Sequence, residues 1–144
     1  MNSTNSNEAY GTTGSIQGTF VNLRYESLVM KYEVNSGLTR AQKNAISTIN
    51  NTINDHLTEL DYAGVKKDFE GNPIPKPGGG FYNHIHEMRD AYTSLTKKIR
   101  SIDRSLTNPN LDDDARIQLV EARNRAIEHK NRIEELFKSN GVSL

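Results

Sequence analysis

The stretch NHIHEMRDAYTSLTKKIRSIDRSL, residues 83–106, decides the fold class. Ile85, Met88, Tyr92, Leu95, Ile99, Ile102 and Leu106 recur at steps of three and four, which places them along one stripe of an α-helix. Steps that alternate in this way suit a helix packed lengthwise on a partner. Asn83 stands at the front of the run, where its side chain can accept from the first unpaired amides. The spacing predicts a long helix that begins just after Asn83.

The same kind of pattern continues on both sides. Asn108-Pro109-Asn110 turns the chain. Asp112 then caps a further helix whose first turn carries Asp113 and Asp114, well placed against the helix dipole. Its expected stripe is Ile117, Val120, Ile127, Ile133 and Leu136, and Gly141 is a natural stop after Lys138. These two helices are expected to form a long antiparallel hairpin. Upstream, Thr39 opens a helix expected to reach Leu60, with Ala45, Ile46, Ile49, Ile53, Leu57 and Leu60 inward. Before it, Val21, Tyr25, Leu28 and Tyr32 mark a helix over residues 19–34, closed by Asn35-Ser36-Gly37. No run reads as a strand. The fold class is therefore all-α: a small helical bundle with a long antiparallel C-terminal hairpin and a long irregular loop before it.

The 144 residues suit one domain with a modest core. Hydrophobic content is only 34%, and the start is the part least able to pack. Residues 1–18, rich in Asn, Ser, Thr and Gly, bury too little to offset their ordering entropy, so they are expected to be a flexible junction, with the helical domain over 19–144. They hold no basic stretch followed by an apolar run, and no signal peptide is read there. No apolar run approaches the roughly 20 residues that span a bilayer, so no stable membrane insertion of this domain is expected. The absence of cysteine removes disulfides, thiolate metal sites and a cysteine nucleophile. With 18 basic and 18 acidic residues the formal charge is zero, against the basic excess common in nucleic-acid binders. A local excess survives around Lys66, Lys67, Lys76 and Arg89, continuing at Lys97, Lys98, Arg100 and Arg104. Those last four suit a solvated helix face.

Residues 55–90 concentrate the groups able to do chemistry. Three of the four histidines, His56, His84 and His86, fall there with carboxylates, lysines and an arginine. A long connection between helices is uncommon and usually functional or disordered. With a rotation of about 100° per residue and His84 set to zero, Ile85, Met88, Tyr92 and Leu95 lie between about 20° and 100°. Glu87 falls at about 300°, beside His84, whereas His86 falls at about 200° and faces water. His56 shares the broad face of Ile49, Ile53 and Leu60 and is expected inward or half-buried. An imidazole beside a carboxylate suits proton transfer near neutral pH, and a second imidazole from another helix would supply the complementary group. The plainer reading is a hydrogen-bonded core histidine. In a metal reading, His84 and Glu87 with His56 as third ligand would hold one ion, though the His-Glu-x-x-His spacing is missing. Gly78-Gly79-Gly80 lacks the Gly-Lys-Ser/Thr ending of a phosphate loop and is expected to act as a flexible linker. Lys76 and Arg89 are natural phosphate contacts.

Several separated blocks resemble the polymorphic toxin type 28 family. They are NNTINDHLT (50–58), GNPIPKPGGGFYNH (71–84), EMRD (87–90), LTNPNL (106–111) and NRIEELF (131–137), which together cover roughly residues 45–140. The resemblance implies a C-terminal toxin domain of a contact-dependent growth inhibition protein or a related secreted effector. It implies a ribonuclease delivered from a producer cell, acting in the target-cell cytoplasm and neutralised by a cognate immunity protein. The family pattern has His at 56 and 84, Glu at 87 and a basic residue commonly at 89. This chain departs from it at His86 and matches more loosely over residues 59–64.

The expected function is RNA cleavage by metal-independent general acid–base transesterification without a cofactor. His56, His84 and Glu87 are the catalytic set, and Lys66, Lys67, Lys76, Tyr82 and Arg89 are the substrate contacts. One imidazole or Glu87 would take the ribose 2′-hydroxyl proton, the other imidazole would protonate the departing 5′-oxygen, and Lys76 or Arg89 would steady the phosphorane charge. The alternatives are a metal-dependent nuclease toxin and a non-catalytic helical module acting through protein contacts.

Overall fold

The computed structural model describes residues 37–144. The helix expected over 19–34 and the junction at 1–18 lie outside the described residues. Four helices follow in order: α1 Arg40–His56, α2 Glu59–Phe69, α3 His84–Leu106 and α4 Asp113–Ser139. Among the described residues there is no strand, only an isolated antiparallel bridge between Pro75 and Phe81. The fold is all-α. The chain divides into two compact units, and the one holding the site comprises residues 40–110 and 119–144. Of the other, residues 37–39 and 111–118 are described. There Gly37 has φ 69°, and a Cβ on it would come within 2.6 Å of Asp112.

The C-terminal hairpin forms as expected. Asn83 caps α3, its Oδ1 accepting from the His86 amide at 3.0 Å. Met88, Leu95, Ile99 and Ile102 are buried along α3. Contacts with α4 show the antiparallel course, since partner numbers fall as those of α3 rise. Arg89 lies over Phe137, Tyr92 donates to Glu134 and Asp103 pairs with Arg123. The buried stripe of α4 differs from the expected one. Within the main unit it runs Leu119, Ala122, Ala126, Ile133 and Phe137, whereas Ile117 is 57% exposed and Val120 is also exposed. Ala122 and Ala126 are fully buried within it, positions that a pattern of large aliphatic residues does not mark.

Two expectations about the preceding segment are corrected. The helix expected to reach Leu60 ends at His56, and a separate helix, α2, occupies residues assigned to the loop. The reason is local. Thr58 adopts an extended conformation and forms a capping box with Asp61, its side chain accepting from the Asp61 amide and its amide donating to the Asp61 carboxylate. This restarts the helix in a new phase. Leu57 is buried, and Leu60, expected inward, is 82% exposed.

Only residues 70–83 are left as connection, and they are hydrogen-bonded rather than a loose linker. Tyr82 N–H donates to the Ile74 carbonyl and Lys76 N–H to the Gly80 carbonyl, both at 2.9 Å. Gly78, Gly79 and Gly80 close this turn with φ of 89°, 119° and 75°, where a side chain would be strained.

Candidate active site

The site is built where α1, α2 and the head of α3 meet. Helix α1 packs on α3, and Thr52 Oγ1 lies 3.5 Å from Ser94 Oγ between them. Beside this contact runs a groove of about 300 Å³ lined by Thr52, His56, Glu87, Asp90, Ala91 and Ser94. His56 and Glu87 therefore face one space from separate helices. His56 was expected inward or half-buried, but it is exposed because α1 stops at this residue and the chain leaves through Leu57.

His84 takes a different position. It stands at the first position of α3 with a side chain only 12% exposed, one turn from Glu87 but turned toward α2. Its ring lies directly on Gly64. A Cβ at that glycine would come within 2.6 Å of the imidazole, so only glycine leaves room for the ring. The Tyr82 ring is tilted against His84 at 5.5 Å between centroids, and Lys76 Nζ sits 5.7 Å over the Tyr82 ring. These groups form one continuous patch from α2 through the turn to the head of α3.

Asp68, which no sequence pattern marks, fastens the patch. Its Oδ2 accepts from the amides of His84 at 2.8 Å and Ile85 at 3.2 Å. With Asn83 serving the His86 amide, the first three donors of α3 are satisfied. A carboxylate there also suits the positive end of the helix dipole. The Thr58-x-x-Asp61 pattern is the signal in the sequence for the start of α2, though not for the contacts that Gly64 and Asp68 make with His84.

The remaining expected residues are distributed unevenly. His86 faces solvent, as expected, and pairs with Asp90 at 3.4 Å. Lys66 and Lys67 are exposed on α2. Arg89 points away from the groove, its guanidinium 5.3 Å from the Phe137 ring centroid, about 160° around α3 from Glu87. Phe81, not singled out from the sequence, is 60% exposed at the end of the turn. Among the described residues, no three His, Asp or Glu side chains gather closely enough to hold one ion, so His56, His84 and Glu87 do not form a ligand set.

The fourth histidine belongs to a second cluster, between α2 and α4. Buried Tyr62 hydrogen-bonds His129 Nδ1 at 2.9 Å. Arg132 lies 3.7 Å over the Tyr62 ring and holds Glu59 through two bonds of 2.7 and 2.8 Å. Burial pushes the Tyr62 hydroxyl up to about 12 and lowers the His129 imidazole below its ordinary value. The hydrogen bond from Arg132 is the main reason the Glu59 carboxyl lies below its own.

The bacterial toxin 28 family, Ntox28, matches residues 37–139, which include every site residue described above. The chain belongs to this toxin family. Its bacterial toxin 28 domain is also similar to the tRNA nuclease CdiA of Escherichia coli O6:K15:H31 (strain 536 / UPEC), 31% identical over 105 residues. That match takes in 73% of this chain and 3% of CdiA, so the chain spans a small fraction of that protein's length. No described helix of the toxin domain is long and apolar enough to cross a membrane.

Proposed function

We propose that this toxin domain is a ribonuclease that cleaves RNA by metal-independent general acid–base transesterification, with tRNA as the first substrate to test. The similarity to a tRNA nuclease supports the choice of RNA. The observation that carries the chemistry is the placing of His56 and Glu87 across one groove, with the His84 ring held one turn along α3. His56, with Glu87 across from it, takes the proton of a ribose 2′-hydroxyl. The freed oxygen attacks the adjacent phosphorus, and the bond from phosphorus to the 5′-oxygen breaks. His84 gives a proton to that oxygen, leaving a 2′,3′-cyclic phosphate and a 5′-hydroxyl end.

Glu87 and Asp90 make the groove itself acidic, so the phosphate sits toward His84 and Lys76, where a cation opposes the charge of the phosphorane. Tyr82 offers a ring face to the neighbouring base. Lys66 and Lys67 on α2, and Arg89 from its place over Phe137, would meet flanking phosphates. Delivery from a producer cell, action in the cytoplasm of the target and neutralisation by an immunity protein complete the reading.

Purified domain incubated with total RNA in EDTA tests the scheme. Cleavage with cyclic-phosphate ends is the expected result. Cleavage restored only by added divalent metal would replace the scheme with a metal-dependent one, and intact RNA in both conditions would leave a non-catalytic module. His84→Ala should lower cleavage by roughly 10²–10⁴-fold while the melting transition stays cooperative.

A further inference from the structure

Resting on the nuclease reading, we infer that Asp68 is a positioning residue that fixes the tautomer of His84, so that Nε2 is the ring atom that transfers the proton. Three observations carry this. Asp68 Oδ2 is fully engaged, accepting from the His84 and Ile85 amides, so the carboxylate cannot swing away without uncapping α3. Its other oxygen, Oδ1, lies 4.0 Å from His84 Nδ1. Both of those atoms are buried and lack a hydrogen-bond partner, in side chains 8% and 12% exposed.

Buried polar atoms are normally paired, and two orphans facing each other at this distance are each other's nearest remedy. An approach of little more than 1 Å separates the present 4.0 Å from the roughly 2.7–2.9 Å of a charge-assisted bond. Gly64 limits other movements, because the ring already fills the space above it. An ionised carboxylate only accepts, so the shared proton belongs to Nδ1. The neutral ring then carries its lone pair on Nε2, and the protonated ring offers Nε2–H.

In the cleavage step the His84 imidazolium passes its Nε2 proton to the departing 5′-oxygen. It becomes the neutral Nδ1–H tautomer, and Asp68 stays ionised throughout. The carboxylate touches no substrate atom. It acts by holding the main chain and the side chain of the same histidine, so that helix start and proton donor share one anchor.

Asp68→Asn separates this role from that of a plain helix cap. The two backbone donors retain the amide oxygen, which leaves the amide –NH₂ facing Nδ1 and favours the Nε2–H tautomer instead. Ring-nitrogen NMR of the parent at a pH where His84 is neutral should show the proton on Nδ1, and the variant should show it on Nε2. Steady-state cleavage should lose roughly 10²–10⁴-fold in kcat with KM within about threefold. A parent whose neutral His84 carries its proton on Nε2 overturns the inference, whether or not the variant folds. So does a folded Asp68→Asn protein with kcat within about threefold of the parent. A parent that leaves RNA intact while showing the Nδ1–H tautomer removes the nuclease reading instead, and the Asp68 pairing stands without it.

Discussion

The α3–α4 hairpin and the segment before it, residues 57–83, are held together in opposite ways. Along the hairpin, Met88, Leu95, Ile102, Ile133 and Phe137 are each nearly or fully buried, and every one adds to a continuous apolar seam. The stabilisation is spread over many contacts of one kind. In the earlier segment single atoms carry single tasks. Thr58 restarts the helix, Gly64 leaves room for a ring, Asp68 caps α3 and three left-handed glycines close a turn. A seam tolerates loss by degrees, whereas a set of unique contacts fails one function at a time. The candidate site lies where the two regimes join, with His84 at the first residue of the hairpin and its ring in the segment.

Phe137 is the place to strike the seam hardest, because it is 1% exposed and also receives Phe69 edge-on at 5.2 Å. Phe137→Ala should cost about 3–5 kcal/mol, read from denaturant unfolding. A cost under about 1 kcal/mol would show that the seam is less continuous than its burial indicates.

Gly64→Ala strikes the other regime. Its Cβ would meet the His84 ring at 2.6 Å, so the ring must move. Overpacking of this kind costs about 1–3 kcal/mol. Cleavage should fall out of proportion to that cost, which activity measured well below the melting temperature will reveal. Equal activity in the two proteins would place His84 outside the chemistry.

Thr58→Ala removes one half of the capping box and should cost about 1 kcal/mol, measured by thermal denaturation. The loss should fall on α2 first, seen as faster amide exchange over Glu59–Phe69 than over α4. Uniform exchange across both would mean that the two regions open together.

The smallest effect is a pH dependence from His129. Burial lowers its folded-state affinity for a proton, so the unfolded chain binds protons more readily. The stability it contributes is fully present above the unfolded imidazole value of about 6.5 and is lost as pH falls below it. The melting temperature of the parent should therefore drop from about pH 7.5 to about pH 5.5, and His129→Gln should flatten the drop. The carboxyl groups of Glu59 and Glu134, both lowered by hydrogen bonds from their cationic partners, lose their contribution further into acid. An unchanged slope in the variant would assign the drop elsewhere.

The helical class, the α3 boundaries at Asn83 and Leu106 and the antiparallel hairpin were legible because periodic apolar residues report a buried face wherever the chain later puts it. His84 and Glu87 could be singled out for a related reason, since residue spacing on one helix fixes their angular separation. Asp68 could not be. It meets His84 from sixteen positions away in sequence, on a helix of weak amphipathy, and only packing brings its carboxylate to that ring. The exposure of His56 was likewise beyond the sequence pattern, because it follows from where α1 stops. Periodicity encodes which side of an element is apolar. The mutual approach of polar groups from different elements depends on where whole helices dock, and that is settled by the sum of the core contacts rather than by any local run of residues.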